Sequence, residues 1–112
     1  MNIPIETKDD LKTAVLSNLN FGHNHALTGK VLRQRLGLKD TRQIRLAIVD
    51  LIEYNQVPIV FSGKGYYIAE TPEECAEALL KLRAYIIMLA KHRKYLKLAS
   101  QKKFSGQMAL IL

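Results

Sequence analysis

Between Thr71 and Gly106 the chain carries one proline, Pro72, and no glycine. That stretch constrains the fold more than any other feature. Thr71 is a good N-cap, Pro72 fits the first helical position, where its missing N–H costs nothing, and Glu74 stands where a capping box needs an acid. The pattern predicts one helix from Pro72 to Lys103, about 48 Å long at 1.5 Å per residue. Within it Leu79, Leu82, Ile86, Leu89 and Leu96 follow a three-four heptad seam interrupted by Arg93. Ala84–Ala90 is apolar on every side of the helix, and such a stretch must be covered on more than one face. With 112 residues the chain supports one real core, and a single small domain covers one face of such a helix. The second face calls for the same helix of another subunit, so Leu79, Leu82, Ile86, Leu89 and Leu96 are expected to form a homodimer contact. The alternative is a helix that breaks and folds back, with Gly106 and the tail Gln107–Leu112 docking on the domain.

Upstream the apolar spacing predicts three shorter helices. Asp9 or Asp10 can open the first, which runs to about Asn18 with Leu11, Val15 and Leu19 on one face. Asn20–His25 is polar and contains Gly22, hence a loop. Thr28 caps a second helix with Val31, Leu32 and Leu36 inward, and Gly37 ends it in a left-handed C-cap. Asp40 and Thr41 offer caps for a third helix to about Tyr54. Ile44, Ala47, Ile48, Leu51 and Ile52 form its buried face. The period then changes. Val57–Phe61 and Tyr66–Ala69 read as strands around the turn Ser62-Gly63-Lys64-Gly65. Alternation points Ile59, Phe61, Tyr66 and Ile68 inward and Tyr67 outward. Pro58 fits an edge strand. The expected fold class is mainly α with a small β-hairpin, a winged helix-turn-helix over residues 1–70 followed by a long C-terminal helix and tail over 71–112.

Charge narrows the partner. Seventeen Lys and Arg against ten Asp and Glu leave +7, an excess that points to a polyanion or a membrane surface. Residues 1–26 carry −1, residues 27–69 carry +4 and residues 70–112 carry +4. The last third is polarised: its acids lie between Glu70 and Glu77, while Lys91–Lys103 carries six positive charges and no negative one. Acids early and bases late also suit the helix dipole. The N-terminus has neither the basic nor the apolar region of a signal peptide, and the longest apolar run, seven residues, is far short of a bilayer span. The expectation is a cytoplasmic protein that crosses no membrane.

The single cysteine, Cys75, excludes an intramolecular disulfide and a cysteine-cluster zinc site. Gly63-Lys64-Gly65 lacks the spacing and the Ser or Thr of a phosphate-binding P-loop. His23 and His25 have no third metal ligand nearby in sequence. No nucleophile–base pair or carboxylate pair stands out, so no catalytic residue, metal or cofactor is expected and the chain does not read as an enzyme.

The run Thr28-Gly29-Lys30-Val31-Leu32-Arg33-Gln34-Arg35-Leu36-Gly37-Leu38, followed by Ile44, Ile48 and Leu51, resembles the helix-turn-helix core of bacterial winged-helix repressors. Pro58-Ile59 and Gly63-Lys64-Gly65-Tyr66-Tyr67-Ile68 are similar to the wing, and the biotin operon repressor family carries the nearest pattern. The resemblance covers roughly residues 10–70. It implies that the third helix reads the major groove of double-stranded DNA and that the wing contacts the backbone or minor groove.

On the residues themselves, Arg42, Gln43 and Arg45 lie outward on the first turn of the third helix, and such side chains pair bidentately with guanine or adenine edges. Thr28 and Lys30, at the start of the second helix, together with Lys39 in the turn and Lys64 at the hairpin tip, are candidates for holding phosphates. The expected function is a dimeric DNA-binding regulator of repressor type or a small replication accessory. The rival is a protein–protein adaptor contacting its partner through Leu46, Val49 and Tyr67. A weaker third reading is membrane-surface binding through Lys91–Lys103.

Overall fold

A capping box opens the first helix, α1 (Lys8–Asn18). In the computed structural model, which describes residues 5–105, its cap is Thr7, not Asp9 or Asp10. The Thr7 hydroxyl accepts from the Asp10 N–H at 3.1 Å, and the Asp10 carboxylate accepts from the Thr7 N–H at 3.2 Å. Asp10 therefore serves as the third helical residue, where its charge also meets the positive end of the helix.

Helix α2 (Gly29–Leu36) begins at Thr28, whose hydroxyl accepts from the Val31 N–H at 3.2 Å, and ends at Gly37 with φ of 67°. The turn that follows is closed by Arg33, which donates from Nη1 to the Leu38 carbonyl at 3.3 Å. Helix α3 (Arg42–Glu53) has Thr41 at its cap without a side-chain bond; Asp40 supplies the polar contact instead, accepting from the Arg42 N–H at 3.0 Å. Ile44, Ala47, Ile48 and Leu51 are buried, whereas Ile52, expected on that face, is 41% exposed. At about 100° per residue it falls beyond Ile48, outside the arc of the four buried residues. Val15 and Leu19, Leu32, and the four buried α3 residues pack with Ile59, Tyr66 and Ile68 into one core.

Strands β1 (Ile59–Ser62) and β2 (Gly65–Ile68) form the antiparallel hairpin, with Ile59 opposite Ile68 and Phe61 opposite Tyr66. The alternation fails at two places. Phe61 is 71% exposed and Tyr67 only 5%. Ile59 sits at the base of the hairpin on the core, but Phe61, two residues on, lies nearer the tip, and its ring is tilted against Tyr66, with centroids 4.9 Å apart. Tyr67 stands on the opposite face of β2, where the segment along the second edge of that strand supplies a ring contact. Residues 20–27, which contain a single 3-10 turn at His23–His25, run along its second edge. Leu27 and Tyr66 exchange backbone hydrogen bonds of 2.9 and 2.7 Å, while Gly22 donates to Ile68 and Ile68 to Asn20, each at 2.9 Å. The His23 ring then stands edge-on to Tyr67 at 5.6 Å.

Helix α4 (Pro72–Lys103) runs unbroken for 32 residues. The Thr71 hydroxyl accepts from the Glu74 N–H at 3.1 Å, as expected of the box. The Glu74 carboxylate, however, reaches past the cap and accepts from the N–H groups of Glu70 at 2.7 Å and His23 at 3.0 Å. These backbone bonds, the Glu70 one foremost, hold its acidity on the strong side of an ordinary glutamate. Among the described residues the chain divides into two compact units between Ala76 and Glu77. The first turn of α4 goes with the N-terminal unit, which Glu74 ties to the His23 loop. The tail Gln107–Leu112 and Gly106 lie outside the described residues. The fold class is thus mainly α with a small hairpin and a long C-terminal helix, and among the described residues no helix is long and apolar enough to cross a membrane.

Candidate nucleic-acid interface

Two glycines bring the start of α2 against the hairpin. Gly65 has φ of 119°, and a Cβ there would run into the Leu27 carbonyl and come within 2.7 Å of the Thr28 nitrogen. Only glycine allows the backbone of β2 to approach the cap of α2 so closely. Gly29, the first residue of α2, faces the Thr41 side chain and the Tyr66 ring, each in ordinary contact with the space a Cβ would fill. The N-terminus of α2, the cap of α3 and the ring of Tyr66 therefore meet at one point. Thr28 and Lys30 flank it, both exposed.

Tyr66 was expected only as a core residue, and the structure gives it a second aspect. It is 9% exposed, and its ring packs between Phe61 and the start of α2 at Gly29. Burial raises its pKa above that of a free tyrosine, and the positive charge of Arg45 opposes the shift. A hydroxyl donor, a guanidinium and the free N–H groups of a helix start are the donors an anionic oxygen takes.

Arg42 and Gln43 are exposed beside this junction. With Lys39, Asp40 and Leu46 they line a shallow, open depression at the α2–α3 turn. Lys64 occupies the turn between β1 and β2, where its N–H donates to the Ser62 hydroxyl at 3.2 Å and its side chain is exposed. All seven residues expected to touch nucleic acid lie in the N-terminal unit. Thr28 and Lys30 flank the Gly29 contact; Arg45 is exposed on α3; Lys39, Arg42 and Gln43 share the depression; and Lys64 adjoins Gly65, which packs on the α2 cap. Tyr66 is the residue that reading the sequence misses, because its contact with the start of α2 depends on how the hairpin docks.

Besides Ile52, two more apolar side chains of α3 are exposed, Leu46 and Val49. Tyr67, offered as an adaptor contact, is buried and drops out of that surface. In α4 Leu79, Leu82, Ile86, Leu89 and Leu96 are all exposed, and the helix buries none of its residues.

No protein-family model, curated protein or solved structure matches this chain.

Proposed function

We propose that the N-terminal unit binds double-stranded DNA in the manner of a winged helix-turn-helix, with α3 in the major groove and the β1–β2 turn on the backbone. In this reading Arg42, Gln43 and Arg45 read base edges, and Thr28, Lys30, Lys39 and Lys64 hold phosphates. The observation that carries the reading is the junction at Gly29. The start of α2, the Tyr66 ring and the cap of α3 meet there beside the exposed donors Arg42, Gln43 and Arg45, in a chain of net charge +7. The protein then acts by binding, as a cytoplasmic regulator of repressor type or a replication accessory, and not as an enzyme. A homodimer through α4 would present two reading helices to a palindromic site.

The test is binding to a mixed-sequence duplex and to a selected site across a salt series, for the native protein, Arg42→Ala/Arg45→Ala and Tyr66→Phe. Log affinity of the native protein should fall linearly with log salt, by about 0.9 per phosphate contact. The double variant should keep a steep slope and lose sequence preference, each base contact being worth about 1–3 kcal/mol on the selected site. Tyr66→Phe should weaken all duplexes alike. Absence of binding at low salt overturns the proposal and favours the adaptor reading, for which exposed Leu46 and Val49 on α3 are the specific support.

A further inference from the structure

We propose that α4 pairs with the α4 of a second copy in antiparallel orientation, along the seam Leu79, Leu82, Ile86, Leu89, Arg93 and Leu96. The inference rests on the homodimer part of the reading above, fixes its direction, and is independent of DNA binding. A lone helix gains little stability from water-exposed leucines, and most helical stability in proteins comes from packing an apolar face. Yet the seam leucines and isoleucine are 45–65% exposed, and Leu80, Tyr85, Ile87 and Met88 widen the exposed apolar band. Contiguous apolar surface of this kind marks an interaction site.

Charge selects both occupant and direction. The one charged seam position is Arg93. In a parallel, in-register pair each Arg93 would face the partner's Arg93 inside an apolar seam, two like charges with no counter-ion and partly stripped of water. The antiparallel pair separates them. Leu79 then lies opposite the partner's Leu96, Ile86 opposite the partner's Leu89, and Arg93 opposite the partner's Leu82, where its alkyl stem covers the leucine and its head reaches the helix flank. The helix ends follow the same rule. Glu73, Glu74 and Glu77 occupy the first turns, and Lys91, Arg93, Lys94, Lys97, Lys102 and Lys103 the last ones. Paired helices lie about 8–10 Å apart, comparable to the screening length of about 8 Å at physiological salt. A parallel pair would set six cations beside six. The antiparallel pair sets the acidic end of each helix beside the basic end of the other. A second copy of this chain is thus complementary to it in apolar face and in charge at once.

The experiment uses the full chain with Cys75→Ser, so that an introduced cysteine is the only thiol. Leu79→Cys and Leu96→Cys are made separately, one carrying a size tag, and treated with a short bismaleimide alone and after mixing. Sedimentation equilibrium at tens of micromolar should give a dimer, and cross-linking should occur in the mixture but in neither variant alone. Self-cross-linking of either variant overturns the antiparallel direction while leaving a dimer. A dimer that cross-links in no combination uses another surface and overturns the proposal. A monomer overturns the dimer as well. DNA affinity measured on the same samples reports on the DNA reading by itself.

Discussion

Gly63 and Gly65 flank the same lysine and look alike in sequence, yet replacing each by alanine should have opposite consequences. At Gly65 the backbone has φ of 119° and the new Cβ would collide with the Leu27 carbonyl and the Thr28 nitrogen, both backbone atoms. Holding a non-glycine residue in that region costs about 1–3 kcal/mol. The collision cannot be relieved by a rotamer, so residues 27–28 must move off β2. That breaks the Leu27–Tyr66 pair of hydrogen bonds, each worth about 0.5–1.5 kcal/mol net. The sum is about 2–6 kcal/mol, a large share of the roughly 5–15 kcal/mol that holds a domain together. At Gly63 nothing lies within 4 Å of the added methyl and φ is ordinary. Gly63→Ala should leave stability unchanged or raise it by about 0.4–1 kcal/mol through the unfolded chain. Urea unfolding followed by circular dichroism measures both. If Gly65→Ala unfolds within about 0.5 kcal/mol of Gly63→Ala, the close approach of β2 to the α2 cap is wrong, and with it the junction assigned to phosphate.

Glu74→Gln should lower the urea midpoint at neutral pH, because two backbone N–H groups prefer the carboxylate. The pKa of Glu74 is depressed in the folded state, so this contribution is present above the ordinary carboxylate range and is lost as pH falls through the folded value. The gap between native protein and variant should therefore close in acid, and a gap that persists unchanged at low pH would remove the role given to the charge. Ile44→Ala should cost about 2–5 kcal/mol as a core cavity, whereas Ile52→Ala, on the exposed edge of α3, should cost under about 1 kcal/mol; similar unfolding midpoints for the two variants would contradict the assignment of the α3 faces.

How far the sequence discloses this fold depends on how local the deciding contacts are. Helix α4 is legible because a cap, a proline and an acid within four residues start it and nothing inside it stops it. Gly37 and Thr28 bound α2 for the same reason. The start of α1 is ambiguous because three polar residues, Thr7, Asp9 and Asp10, can all cap. Only the reciprocal bonds between Thr7 and Asp10 distinguish them. The faces of the hairpin are misread since alternation describes a sheet with one covered face. Nothing in residues 65–68 announces that residues 20–27 return to line their second edge and bring His23 over Tyr67. The outward donors of α3 follow from helical spacing, but the contact of the Tyr66 ring with the start of α2 at Gly29 comes from docking and is not legible in the sequence.

The unbroken run of α4 also limits how this chain can change in length. A loop absorbs an inserted residue by bulging; a helix of 32 residues cannot. One residue added before Leu79 would turn every later side chain by about 100° and advance it by about 1.5 Å, moving Ile86, Leu89 and Leu96 off their stripe together. An insertion of seven residues returns the stripe to within about 20° of register. Tolerated length changes in this half should therefore come in near-whole numbers of turns, about seven or eleven residues. Single-residue insertions should collect instead in the turn around Gly63 and Lys64, where no side chain beyond the turn depends on the phase.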